Sequence, residues 1–224
     1  SPDGIGTGDF DTSFSWEEGN ANVFNWHPVL MVSALVFLYS EAAIAYKWLP
    51  IEKKCAKGLH VVIQTLAVIA MSVGLRAVFR FHNEKDPPID NMYSMHSWVG
   101  LTCVVLFSVQ YVAGIYHFLA PEGKLPNTDP ASKATYLAYH KLIGVILLAL
   151  CVATSCLGFF EKMAFAGAIT PDEATYPDDP LHLAPMYYRL NTIAVIMVLL
   201  VTMVALVVSR APAVSSEGNQ LLAT

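Results

Sequence analysis

Five apolar stretches, each long enough to cross a lipid bilayer as a helix, constrain this chain more than any other feature. A hydrocarbon core about 30 Å thick takes roughly 20 predominantly apolar residues in an α-helix. Residues 28–49 carry only Glu41 and Lys47 as charges, and 58–79 carry only Arg76. Residues 97–120, 142–160 and 190–209 have no Asp, Glu, Lys or Arg. Membrane strands need an alternating pattern over about 10 residues, which these runs lack. The expected fold is an all-α integral membrane protein with five transmembrane helices. Residues 1–24 are polar, Gly-rich and acidic and read as a loop outside the cytoplasm. Residues 25–210 form the transmembrane domain, and 211–224 read as a flexible cytoplasmic tail. The first residues, Ser1-Pro2-Asp3, show no signal-peptide pattern, which leaves room for a further helix upstream.

Composition narrows the classes further. Charged residues make up 14 % of the chain, against about 25 % in a soluble domain. The net charge is −5, so a basic footprint for nucleic acid is absent. The positive charges are unevenly placed. Lys47, Lys53, Lys54, Lys57, Lys124, Lys133, Lys141 and Arg210 fall on one side of the predicted spans, leaving Arg76, Arg80, Lys85, Lys162 and Arg189 on the other. Basic loops stay in the cytoplasm, so the Lys-rich side is expected inside, with the N-terminus outside and the C-terminus inside. Cys103, Cys151 and Cys156 lie within spans and Cys55 lies between them. No Cys-x-x-Cys pair occurs, and all four read as packing residues.

The seven histidines carry the functional signal. Polar side chains at membrane depth are costly and usually functional. His27 and His96 fall at the outer starts of the first and third spans. His60 and His140 fall near the inner starts of the second and fourth. Two neutral imidazoles converging from separate helices supply both axial positions of a haem iron, so four of the helices are expected to form a dihaem-binding bundle. Glycine spacing supports this. His96 is followed by Gly100 and Gly114, and His140 by Gly144 and Gly158, at +4 and +18 in both cases. At 100° per residue both offsets return to the histidine's own face, to within 40° at +4. Gly lets a flat macrocycle approach the backbone, and the far Gly of each pair would face the other haem. Gly74, 14 residues after His60, fits the same scheme. The competing reading is interfacial histidines and helix-packing glycines, and zinc is a second alternative that needs more ligands per level than two. His117 is expected to be structural or interfacial, and His182 solvated in an outer loop.

At these residues the chain resembles the cytochrome b-561 family of ascorbate-dependent transmembrane dihaem reductases. The matching pieces are Asn25-Trp26-His27-Pro28-Val29-Leu30-Met31, Lys57-Gly58-Leu59-His60, Asn91-Met92-Tyr93-Ser94-Met95-His96-Ser97-Trp98-Val99-Gly100, and His140 ahead of Gly144. Ser40-Glu41-Ala42 and Phe81-His82-Asn83-Glu84 are most similar to the plant-type branch. The resemblance implies two haem b groups, the outer held by His27 with His96 and the inner by His60 with His140. It also implies a six-helix fold whose first helix has no counterpart here, and members that often dimerise. Lys133 stands where family members carry Arg, so an anion there meets a point charge rather than a bidentate fork.

The resemblance further implies ascorbate as inner donor and monodehydroascorbate or a ferric chelate as outer acceptor. Lys47, Lys57 and Lys133 match its inner ascorbate site, although Lys there also obeys the positive-inside rule. Phe81, His82 and Asn83, with Arg80, are expected over the outer haem. There His82 would take up a proton or bind ferric iron. Arg76 is a candidate partner for a haem propionate, and Glu41 for proton coupling or an interhelical hydrogen bond. Two other functions compete with a reductase. One is a dihaem electron-carrier subunit of a larger membrane complex with a protein or quinol partner. The other is a haem-free transporter whose histidines relay protons.

Overall fold

The computed structural model describes residues 13–165 and 185–209. Residues 1–12 of the N-terminal segment, the predicted loop residue His182, Arg210 and the tail lie outside the described residues. Five helices have the length and composition to cross a membrane: α1 (Ala21–Lys47), α2 (Lys53–Glu84), α3 (Met95–Leu119), α4 (Pro130–Phe165) and α5 (Pro185–Ser209). No strand occurs among the described residues. The protein is an integral, multi-pass membrane protein of all-α class, as the apolar runs predict.

Proline and local capping place the helix ends. Pro28 sits in the first α-helical turn of α1, where a missing N–H costs nothing. Pro50, the Pro87–Pro88 pair and Pro121 follow the ends of α1, α2 and α3, where proline cannot continue a helix. Ser94 caps α3, its Oγ accepting from the Ser97 N–H at 3.2 Å. Asp129 caps α4, accepting from the Ser132 N–H (3.0 Å) and hydroxyl (2.6 Å), and Pro130 is the first helical residue. The helices therefore outrun the apolar runs, because turns beyond the hydrocarbon tolerate charge. The largest difference is at α4. It starts at Pro130, so His140 lies well inside it and Lys133 and Lys141 are helical, whereas the apolar run alone puts both lysines in a loop.

A wide π-helical turn interrupts α1 at Ser33–Leu38, where the Tyr39 N–H reaches back to the Ala34 carbonyl. This segment points Ala34, Leu35, Val36 and then Tyr39 into the core. There they meet Ala67 and Met71 of α2, Cys103 and Phe107 of α3, Leu147, Leu148 and Cys151 of α4, and Met197, Val201 and Val204 of α5. Lipid gives no hydrophobic drive between helices, so close packing holds them. Ala34, Ala42, Ala67 and Ala77 are fully buried and permit that approach.

Neighbour relations define the bundle. Helix α1 packs along α2, α3 along α4, and the middle of α1 against α4, while α5 flanks α4 and the C-terminal half of α1. The pairs α1/α3 and α2/α4 are not among the closely packed ones. They face one another diagonally across the interior.

Candidate functional site

Each diagonal of the bundle is bridged by a pair of imidazoles. His27 of α1 and His96 of α3 have ring centroids 6.1 Å apart with planes at 83°. His60 of α2 and His140 of α4 have centroids 6.3 Å apart at 65°. All four side chains are half-buried. These are the pairs expected from depth along the sequence.

Backbone carbonyls orient three of the rings. His27 Nδ1–H donates to the Gly74 carbonyl (3.1 Å), His60 Nδ1–H to Ala42 (2.8 Å) and His96 Nδ1–H to Thr154 (2.9 Å). A carbonyl only accepts, so the proton is on Nδ1 and the Nε2 lone pair is free, as metal-ligating histidines require. His140 has a looser arrangement, with its Nδ1 3.5 Å from the Tyr136 hydroxyl. The same bonds give the separation of the levels. His60 pairs with Ala42 and His27 with Gly74, so about 14 residues of α2 separate them, or roughly 21 Å at 1.5 Å per residue.

The donor set fits haem. Two imidazoles on one iron, at about 2 Å per bond and roughly 1.1 Å from nitrogen to ring centre, place their centroids roughly 6.2 Å apart. Both observed separations match that span. Among the described residues no group of three or more His, Cys, Asp or Glu converges as a metal site, so the donors come in twos. Two buried polar atoms without a protein partner also lie close by in sequence: Trp26 Nε1, next to His27, and Gln64 Oε1, one turn after His60.

The glycines divide into two sorts. An added Cβ at Gly158 would lie 2.7 Å from His96 Cε1, and one at Gly114 would lie 3.3 Å from His140 Cε1. The far glycine of each helix therefore faces the histidine of the other level. Gly100 and Gly144, by contrast, abut Thr154 (3.4 Å) and Gln110 (3.5 Å) on neighbouring helices. Gly74 sits at the α1–α2 crossing against Leu30 and Met31, both at 3.2 Å.

At the His27 end, Phe81, His82 and Asn83 close α2. His82 Nδ1 and Asn83 Oδ1 both meet the Asn91 side chain, at 3.1 and 3.0 Å. Tyr93 stands 6.4 Å from the His82 ring and donates to Glu161 Oε1 at 2.9 Å. Burial first and the Glu161 carboxylate second push the Tyr93 phenol up to about 12, so it stays a neutral donor. Arg80 is paired with Glu84 (2.7 Å) and donates to the Trp16 carbonyl (3.1 Å). Arg76 is exposed on α2, and Glu41 is half-buried in α1.

At the His60 end, Lys57 donates to the Phe118 carbonyl and Lys133 to the Ala120 carbonyl (3.3 Å). Two ammonium groups from α2 and α4 thus converge on the C-terminus of α3, whose dipole favours cations. Lys47 is exposed at the end of α1. His117 stacks on Tyr136 at 4.0 Å, and its Nδ1–H donates to the Asn127 carbonyl (3.3 Å), so it braces the α3–α4 connection. Sequence reasoning missed Tyr93 and Glu161 as a linked pair, because the two are far apart along the chain. It also missed Tyr39, whose hydroxyl donates to the Gly144 carbonyl (3.0 Å) between the levels.

A multi-pass helical bundle with two imidazole pairs, one above the other, is the architecture of a transmembrane b-type cytochrome. The family model described as eukaryotic cytochrome b561 matches residues 26–166. The chain is 38 % identical over 152 residues to transmembrane ascorbate ferrireductase 1 of Arabidopsis thaliana, covering 67 % of this chain and 61 % of that protein. It is 39 % identical over 153 residues to a plasma membrane ascorbate-dependent reductase of Xenopus laevis, covering 66 % and 51 %. A putative transmembrane ascorbate-dependent reductase of Caenorhabditis elegans is 34 % identical over 163 residues, covering 70 % and 59 %. The chain belongs to the eukaryotic cytochrome b561 family. It spans between about half and two thirds of the length of these relatives.

Proposed function

We propose that this protein moves single electrons across a membrane, from ascorbate on the Lys-rich inner face to monodehydroascorbate or a ferric chelate on the outer face. The observation that carries this reading is the pair of bis-imidazole sites about 21 Å apart on the two diagonals of one bundle. Haem b, held by His27 with His96 and by His60 with His140, would supply the one-electron chemistry at each level.

The chain's own groups do the rest. The Nδ1–H bonds to Gly74, Ala42 and Thr154 keep three ligands neutral and aimed. Gly114 and Gly158 keep side-chain bulk away from His140 and His96. The apolar core between the levels excludes water. At the inner face, Lys57 and Lys133 each keep N–H donors beyond the one used on α3, and these bind the ascorbate anion, with Lys47 adding charge at the rim. Ascorbate gives up one electron and one proton there and leaves as monodehydroascorbate. At the outer face, His82 Nδ1–H donates to Asn91 Oδ1, which fixes the ring and leaves Nε2 bare; Nε2 takes up a proton from the outer medium and hands it on when monodehydroascorbate takes the electron. A ferric chelate takes the electron alone. Arg76 and Arg80 supply positive charge at this end.

The test is a visible spectrum together with ascorbate reduction of the full chain in vesicles. Two b-type signals are expected, one lost in His27→Ala and the other in His60→Ala. Lys57→Ala should slow reduction by ascorbate roughly tenfold, about 1.4 kcal/mol of binding. A preparation holding one haem or none would overturn the reading.

A further inference from the structure

One turn deeper than each proposed haem ligand, four residues on, stand Met31, Gln64, Gly100 and Gly144. Four residues return a helix to the same face within 40°, so each shares its histidine's side of the helix. Contacts between helices account for three of them. Met31 Sδ would lie 3.2 Å from a Cβ added at Gly74, and Gly100 and Gly144 leave room for Thr154 and Gln110. Gln64 is the polar one of the four, and no protein group takes its acceptor.

Gln64 lies deep in the bundle. It is 8 % exposed and belongs to the buried stripe of α2 that continues through Ala67, Met71 and Gly74. Other polar side chains near this level are engaged. The Tyr39 hydroxyl donates to the Gly144 carbonyl (3.0 Å) and Gln110 Nε2–H to the His140 carbonyl (2.7 Å). Thr65 Oγ1 bonds the Val61 carbonyl (2.7 Å) and the Tyr111 hydroxyl (2.8 Å). Only Ser40 Oγ of α1, 1 % exposed, shares the condition of Gln64 Oε1 on this half of the described bundle. An acceptor left unpaired in a dry interior is unfavourable, and its dipole acts there with little screening.

We propose that Gln64 tunes the inner haem. Its carbonyl end, one turn from His60, favours the ferric state and so lowers the potential of that level. This rests on the reading of His60 with His140 as a haem site. A ferric haem carries one more positive charge than a ferrous one. The negative end of an amide dipole stabilises that charge in a low-dielectric site. The outer level has the apolar Met31 at the corresponding place on α1, so one side chain makes the two levels unequal. An electron entering at the Lys-rich end is thereby biased toward the His27 level.

The test is a spectroscopic redox titration of the full chain in phosphatidylcholine vesicles. The two signals are assigned by their loss in His60→Ala and in His27→Ala. Gln64→Met, which keeps the length of the side chain and copies Met31, should raise the potential of the His60 signal. The expected change is about tenfold in its equilibrium constant, about 59 mV for one electron. Gln64→Leu should move it the same way, and the His27 signal should stay where it is in both. Unchanged g values of the ferric protein in electron paramagnetic resonance would show that both imidazole pairs keep their geometry. An unmoved or lowered inner potential, or an equal shift at both levels, overturns the proposal. So does a shift accompanied by altered g values, which would mean that Gln64 acts by placing His60. An equal rise in Ser40→Ala would assign the amide to a water shared with Ser40 and also overturns it. A protein that binds no haem at the inner level loses both this inference and the reductase reading. If the potential moves as expected while ascorbate fails to reduce the protein, the reductase reading fails and the tuning role stands.

Discussion

A methyl group on residue 158 would lie 2.7 Å from His96 Cε1, closer than carbon atoms approach, whereas at residue 114 the corresponding gap to His140 is 3.3 Å. The two glycines look alike in sequence but differ in tolerance. His96 is pinned by its bond to the Thr154 carbonyl and cannot retreat without breaking it. His140 has the weaker 3.5 Å contact to Tyr136 and can shift by a few tenths of an ångström. Gly158→Ala is therefore expected to remove or strongly perturb the spectral signal that His27→Ala removes. Gly114→Ala should leave both signals present, with at most a small shift in the potential of the second. Redox titration of the purified variants checks both. Equal damage in the two would mean that the rings are held alike.

The π turn in α1 is a device at the scale of the element. It adds one residue to a helix that must present His27 to α3 and the Ala42 carbonyl to His60 of α2. One residue corresponds to about 100° of helix phase, so its removal turns everything downstream away from its partners. Phe37 faces outward at 55 % exposure and lies inside the turn. Deleting it should keep the His27/His96 signal and lose the His60/His140 signal in the reduced spectrum. Loss of both, or of neither, would refute the phase argument. The start of α4 gives a second prediction. The Ser132 hydroxyl and backbone N–H groups hold the Asp129 carboxyl below the usual carboxylate range. A depressed value stabilises the fold above the ordinary carboxylate range, and that contribution is lost as pH falls through the lowered value. Asp129→Ala should accordingly lower Tm at neutral pH, and the gap to the unmodified protein should close in acid.

For the whole molecule, orientation decides which end meets ascorbate. The lysine distribution predicts that the His60 end faces the cytoplasm. Cys55 is exposed at that end, while Cys103 and Cys151 are buried and Cys156 is half-buried. A membrane-impermeant thiol reagent should therefore label intact, oriented cells or organelles only after the cytoplasmic face is opened, and Cys55→Ser should abolish the labelling. Labelling from the outside would invert the direction proposed for the electron.

The sequence by itself determined the number of spans, the two depths at which histidines occur and the family, because each follows from composition along one helix or from short contiguous motifs. Its limits appear at particular residues. The hydrocarbon boundary tells where charge stops being tolerated, not where a helix stops, so an apolar run could not show that α4 begins at Pro130. One residue of extra phase in α1 leaves no mark in hydropathy. Only the tertiary structure decided that the histidine pairs bridge the diagonals and that Nδ1 of three of them is held by distant carbonyls. Those facts depend on which groups from separate helices meet in space, and packing sets that rather than the order of residues along the chain.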